Sequence, residues 1–193
     1  MIMIMSEMLI EGLSTLAAGE RRIAAGARLF RVDDPIVSLF LVISGEMQLI
    51  RTLPHGAQLT LQRAGPGTIL AEASLFAERY HCDAAASEAS VLAVIPLHHV
   101  KAALRDDAVL ASGFIRHLTH EVHRARAQAE TLLLKTVAER VDAWIELNGG
   151  SFAPKGRWRQ VASEIGVTPE ALYRELARRG RFATGGRRQS QRE

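Results

Sequence analysis

Residues 157–179 read RWRQVASEIGVTPEALYRELARR. Val161, Ala162 and Ile165 recur at helical spacing and mark the apolar face of a short helix. Gly166 supplies the left-handed residue that ends it. Thr168 then reads as an N-cap, and Pro169 takes the first helical position, where its missing N–H has no partner to lose. Ala171, Leu172 and Leu176 give the second helix its buried face. Helix, glycine turn and capped second helix together make a helix-turn-helix.

Such a second helix fits the major groove of a DNA duplex, with its N-terminal residues at the base edges. Glu170 and Arg174 stand four apart and so share a face. A carboxylate accepts from cytosine N4, and a guanidinium grips guanine O6 and N7. Thr168 and Tyr173 are further candidate DNA-binding residues of this helix. Arg157, Arg159, Arg178 and Arg179 suit phosphates, whose contacts add affinity and little sequence information. Beyond Gly180, residues 181–189 read as a hairpin turning at Gly185-Gly186, a wing against the backbone. Charge agrees. Residues 151–193 hold 10 Lys and Arg against 4 Asp and Glu, while residues 1–150 hold 14 against 17. A basic module on an acidic body implies a polyanionic partner.

Working back toward the N-terminus, the pattern changes. Residues 6–17 read as a short helix, and residues 20–98 as short apolar runs cut by turns. The runs are 29–30, 39–43, 47–50, 59–61 and 91–95; the turns fall at Gly26, Asp33-Asp34-Pro35, Ser44-Gly45, Pro54-His55-Gly56 and Gly65-Pro66-Gly67. Many short strands with regular glycine turns predict an antiparallel jelly roll. Residues 96–104 read as a second short helix. From Ala108 to Leu147 there is no proline and glycine only at 113, which predicts one long helix. Along it Ile115, Leu118, Val122, Ala125, Ala129 and Leu132 alternate spacings of three and four, the seam of a dimerising helix. Asn148-Gly149-Gly150 breaks the chain.

The expected class is therefore α+β. It comprises a sensor-like β-roll over 1–107, a dimerisation helix over 108–147 and a helix-turn-helix domain over 148–193. No stretch approaches the roughly 20 apolar residues a membrane-spanning helix needs. The apolar start lacks the basic region and cleavage site of a signal peptide. The single Cys82 excludes an internal disulfide and fits a reducing cytoplasm.

This order of parts resembles the CRP/FNR family of bacterial transcription regulators over nearly the whole chain. Residues 41–46, LVISGE, are similar to its β-roll, and residues 69–86, ILAEASLFAERYHCDAAA, align with its phosphate-binding cassette. The resemblance implies a homodimer that binds a two-fold symmetric operator and recruits or blocks RNA polymerase. It also implies that Glu170 and Arg174 read bases. A further arginine of the cyclic-AMP-responsive members falls at Pro169, so the operator differs from theirs. In nucleotide-binding members the cassette carries Gly-Glu and then Arg-Ser. Here Glu72 stands, suited to a ribose hydroxyl, but the glycine is Ala71 and the Arg-Ser pair is Cys82-Asp83. That removes a charge-assisted bond to phosphate and adds a negative charge. Arg79 lies near in sequence, and the helix positions expected at the base are Ala125 and Arg126. Cyclic AMP is accordingly not the expected effector.

His81 and Cys82 fall in the same cassette, and imidazole with thiolate suits zinc, copper or haem iron, or a redox signal. The expected effector pocket is thus Glu72, Arg79, His81, Cys82 and Asp83, with a metal ion or haem on Cys82 and His81. His117, His120 and His123, spaced by three on the long helix, and Met1, Met3, Met5 and Met8 are further candidate ligands. Each has a plainer reading: a lone cysteine packs as a small hydrophobe, helix histidines are solvated, and a methionine stripe packs. Other functions stay open. They are a cyclic-nucleotide-responsive regulator, a β-roll interaction module with a decayed helix-turn-helix, and a cupin-type enzyme. The last would need more roll histidines than His55, His81, His98 and His99. No P-loop or nucleophile–base pair is present, and the chain is not expected to be an enzyme.

Overall fold

The computed structural model describes residues 2–56 and 58–180. The expected wing, Met1 and the side chains of Met3 and Met5 lie outside the described residues; Met8 is exposed. The chain divides into two compact units, Met1–His120 and Glu121–Glu193.

In the first unit, α1 (Ile2–Thr15) precedes eight strands: β1 (Gly19–Ile23), β2 (Arg28–Phe30), β3 (Ser38–Ser44), β4 (Met47–Thr52), β5 (Gln58–Ala64), β6 (Ile69–Leu70), β7 (Asp83–Ala86) and β8 (Ser90–Pro96). They form two four-stranded antiparallel sheets, ordered β1-β8-β3-β6 and β2-β7-β4-β5, the predicted jelly roll. Three strands escape a reading of apolar runs. β1 is GERRI, an edge strand that buries only Ile23. β6 has two residues. β7 is DAAA, whose alanines have weak strand preference yet fill the interior at Ala84 and Ala86. Between the sheets lie Leu39, Met47, Ile69, Leu70, Leu92 and Ile95, all fully buried. The turn at Gly45 has φ 84°, and a Cβ there would stand 2.4 Å from the Ala89 carbonyl oxygen, so only glycine fits.

α2 (Leu97–Asp106) and α3 (Ala108–Leu133) follow. The predicted helix over 108–147 is in fact two: α3 stops at Leu133 and α4 runs Val137–Leu147. The break is a capping box. The Glu139 N–H donates to Thr136 Oγ1 at 3.2 Å, and the Thr136 N–H donates to Glu139 Oε2 at 2.9 Å. This satisfies donors that a continuing helix would have used otherwise. No proline or glycine is needed to stop a helix, which is why their absence misled the sequence reading.

The units also divide inside α3 rather than at residues 107 and 148, because packing ignores the glycine break. Phe114 and Leu118 pack into the β-roll core. Val141, Trp144 and Ile145 of α4 pack with Val161, Ala162, Ile165, Leu172 and Leu176 in a separate core. That second core belongs to the helical unit, completed by a short 3-10 turn at Lys155–Arg157, α5 (Trp158–Glu164) and α6 (Pro169–Arg179).

Candidate functional site

The predicted helix-turn-helix is present. The Ala171 N–H donates to Thr168 Oγ1 at 3.2 Å, Pro169 opens α6, and Gly180 in left-handed geometry closes it. Gly166 turns the chain between α5 and α6 at φ 64°. A Cβ on it would meet Leu132 Cδ2 at 2.6 Å, so the end of α3 lies directly on the turn. Arg140 seals the same junction. Its Nε donates to the Leu134 carbonyl at 2.9 Å, Nη2 to Leu132 at 3.0 Å, and Nη1 to both Ile165 and Gly166 at 3.0 Å. One guanidinium therefore satisfies carbonyls at the end of α3 and at the turn of the motif. Nothing in the sequence pattern singled it out.

Glu170, Tyr173 and Arg174 are exposed along α6. Among the described residues no ion pair joins Glu170 to Arg174, so both heads point to solvent. Tyr173 tilts against Trp158 at 5.7 Å between centroids. Arg157 and Arg159 are exposed, Arg157 Nε donating to Gln160 Oε1 at 3.2 Å. The last two arginines pair within the helical unit. Arg178 is bidentate on buried Glu175, at 2.9 and 2.8 Å. Arg179 turns inward to Glu175, to Asp142 and to the Ala138 carbonyl, tying α6 to α4. Two guanidiniums hold the Glu175 carboxyl down to about 2 from its ordinary 4.5. Arg179 thereby joins two helices of the unit, while Arg178 pairs with Glu175 on an exposed surface, its side chain 69% exposed.

The cassette gathers some of its expected residues and scatters others. Ala71 has φ 71°, the left-handed backbone that favours glycine, and starts a short 3-10 turn over Glu72–Ser74 that buries Glu72. Tyr80 stacks on Phe30 at 3.7 Å between centroids and donates to the Ser38 carbonyl at 2.9 Å. Burial pushes its phenol up to about 12. Arg79 is not in the pocket: its Nη1 donates to the Asp33 carbonyl at 2.7 Å. Asp83 is engaged too. Its Oδ1 accepts from the Val32 N–H at 2.8 Å and its Oδ2 pairs with Arg28 at 3.0 Å.

His81 and Cys82 part company. His81 is exposed, with Nδ1 3.3 Å from Ser74 Oγ, while Cys82 is 3% exposed and inside the roll. The chain bends at both residues and sends one side chain outward and the other inward, so the two do not form a ligand pair. Among the described residues no group of three His, Cys, Asp or Glu could hold a metal ion. Burial pushes the Cys82 thiol up, while Arg51 pulls it down and Asp83 and Glu72 add to the rise. Arg51, exposed on β4, is a charge near the thiol that sequence reasoning missed.

On the long helix, Leu118 packs on the roll core, whereas Leu132 stands beside Gly166 and stays 44% exposed. Ile115, Val122, Ala125 and Ala129 are exposed. His117 is half-buried beside Phe114, and His120 and His123 are exposed.

A jelly roll followed by helices that end in a helix-turn-helix is the fold of the CRP-type transcription regulators. Residues 20–107 match the family model of the cyclic nucleotide-binding domain. The fold is shared over most of the chain with FixK2 of Bradyrhizobium japonicum, at 20% identity, 90% of this chain, 91% of that one and a TM-score of 0.70. The same holds for CLP, a c-di-GMP-responsive global regulator of Xanthomonas campestris, at 18% identity, 93% and 96% coverage and a TM-score of 0.67. A CRP-family transcriptional regulator of Thermus thermophilus aligns at 18% identity, 86% and 88% coverage and a TM-score of 0.61. No curated protein sequence matches the chain. No described helix is long and apolar enough to cross a membrane.

Proposed function

We propose that the chain is a homodimeric, sequence-specific DNA-binding transcription regulator of the CRP/FNR type, acting in the cytoplasm on a palindromic operator and through RNA polymerase. The observation that carries this reading is α6. It is a capped helix that exposes Glu170 and Arg174, unpaired with each other, on a basic unit. Glu170, Tyr173 and Arg174 read bases; Arg157, Arg159 and the helix start at Thr168 meet the backbone. The test is fluorescence anisotropy on a duplex selected from a random palindromic pool. Arg174→Ala should lose about 1–3 kcal/mol on the selected site and little on random DNA. Arg159→Ala should weaken both and flatten the salt dependence. Equal, salt-insensitive binding by all three proteins sinks the reading and favours a protein-interaction module.

The signal we infer is not a cyclic nucleotide held in the family's usual way, since Cys82-Asp83 replaces the phosphate-holding pair. A metal, haem or redox role for Cys82 needs the roll to open around a buried thiol. Elemental and optical analysis of anaerobically purified protein tests it: a metal or haem band lost in Cys82→Ser would support that role, and its absence from both proteins would end it.

A further inference from the structure

A chain of aromatic rings runs through the helical unit. Trp144 meets Phe152 at 5.3 Å between centroids, Phe152 meets Trp158 at 6.4 Å, and Trp158 meets Tyr173 at 5.7 Å. Both indoles are pinned. The Trp144 Nε1–H donates to Glu164 Oε2 at 2.8 Å, and the Trp158 Nε1–H donates to the Ala153 carbonyl at 2.9 Å. The chain of rings ends on α6 at Tyr173, 39% exposed and, among the described residues of that helix, the one large hydrophobic side chain left open to solvent. Packing does not require it there: Val161, Ala162, Ile165, Leu172 and Leu176 form the buried core of the unit without it. Tyr173 stands three residues after Glu170 and one before Arg174, both exposed. At Ala177, one turn further on and also exposed, the side chain is a single methyl group, too small to cover a ring.

We propose that Tyr173 reads the C5 methyl group of a thymine in each operator half-site, with Trp158 behind it as a fixed support. The major groove displays donors and acceptors on every base pair but a single kind of apolar group, the thymine methyl. A half-exposed ring on a groove-facing helix finds its apolar partner there. Stacking on a pinned indole sets the tilt of the ring before DNA arrives, so little side-chain freedom is lost on docking. The open face of α6 thus divides its work: Glu170 and Arg174 take the hydrogen-bonding edges, and Tyr173 takes the methyl. This rests on reading α6 as a recognition helix and names a base that it selects. Because Tyr173 and Arg174 are consecutive, that thymine lies next to the base pair gripped by Arg174.

The experiment removes one methyl group at a time. In the duplex selected by the full-length protein, each thymine of one half-site is replaced singly by deoxyuridine, which pairs alike and lacks only the methyl. One position should cost the wild type about fourfold in affinity, the worth of one buried methyl group. It should adjoin the base pair at which Arg174→Ala relaxes specificity. Tyr173→Phe should keep the same loss at the same position, because the ring does the reading. Tyr173→Ala should bind the thymine and deoxyuridine duplexes equally there, and its affinity for the deoxyuridine duplex should be close to that of the wild type, which also shows that the variant is folded. A loss that persists in Tyr173→Ala gives the methyl to another residue and overturns the proposal. So does a loss that vanishes in Tyr173→Phe, which would assign the contact to the hydroxyl. A protein that binds its selected duplex specifically but is indifferent to every thymine methyl refutes this inference and leaves the regulator standing. A protein that selects no duplex refutes both.

Discussion

At the scale of single residues, Glu175 is the most informative group in the helical unit. Its carboxylate sits buried between Arg178 and Arg179, which hold it down to about 2. An acid whose folded-state pKa is depressed stabilises the fold above its unfolded pKa. That contribution is lost as pH falls through about 4.5 toward 2. Trp144 and Trp158, the only two tryptophans, both pack in the helical core, so their fluorescence reports this unit alone. Melts followed in that signal should show the midpoint dropping as pH is lowered from about 5 to about 2.5. Glu175→Gln should melt lower at neutral pH, because it leaves Arg178 without its anion and Arg179 with Asp142 alone, and should flatten that slope. A variant as acid-sensitive as the wild type would assign the acid response to other carboxylates. Tyr80 works in the opposite sense. Burial, with the Asp34 charge adding to it, keeps it neutral to about 12, so its support for the cassette is present below its ordinary value of 10.0 and is lost as pH rises from there through about 12.

At the scale of elements, the junction of α3, α4 and the α5–α6 turn is where sequence and structure part most clearly. Gly166, Thr168 and Pro169 announced the turn and cap because each residue type has a strong local preference. The jelly roll was legible for a similar reason: glycine turns such as Gly45 are fixed by local backbone geometry. Arg140 could not be read, since its partners at Leu132, Leu134, Ile165 and Gly166 are carbonyls that carry no residue signature. Nor could the alanine strand β7, because register is a tertiary property. Two variants test the junction. Thr136→Ala should cost about 1 kcal/mol by loss of the cap. Arg140→Ala should cost roughly 2 kcal/mol or more, because it strips a charged donor from four carbonyls at once. The midpoint of urea unfolding measures both. If Arg140→Ala is no worse than Thr136→Ala, the carbonyls are served equally well by water. Arg140→Lys should recover only part of the loss, as an ammonium cannot span the same fork.

At the scale of the whole molecule, the proposed dimer is a question about α3. Of the six expected seam positions, Leu118 is used within its own chain and Leu132 stays 44% exposed beside Gly166. Ile115, 65% exposed, and Val122, 48% exposed, stand two turns apart with Ala125 and Ala129 continuing the stripe. Branched residues at that spacing, followed by alanines, let two helices first lock and then approach closely. Exposed branched aliphatics on a helix are costly unless covered, and a second α3 covers them with the same stripe in return. Placing a carboxylate at both Ile115 and Val122 puts like charges face to face in a dry seam. The double variant Ile115→Asp with Val122→Asp should therefore be monomeric by light scattering at micromolar concentration, with its tryptophan melt close to wild type, since neither residue enters the helical core. DNA binding then separates the contributions. A duplex with two half-sites should lose affinity by a factor on the order of 10² or more, the avidity of paired recognition helices. A duplex with one half-site should bind wild type and variant alike. A variant that stays dimeric would move the interface off this stripe. A monomer that keeps full affinity for the two-half-site duplex would mean that α6 reads its site alone, and the operator need not be palindromic.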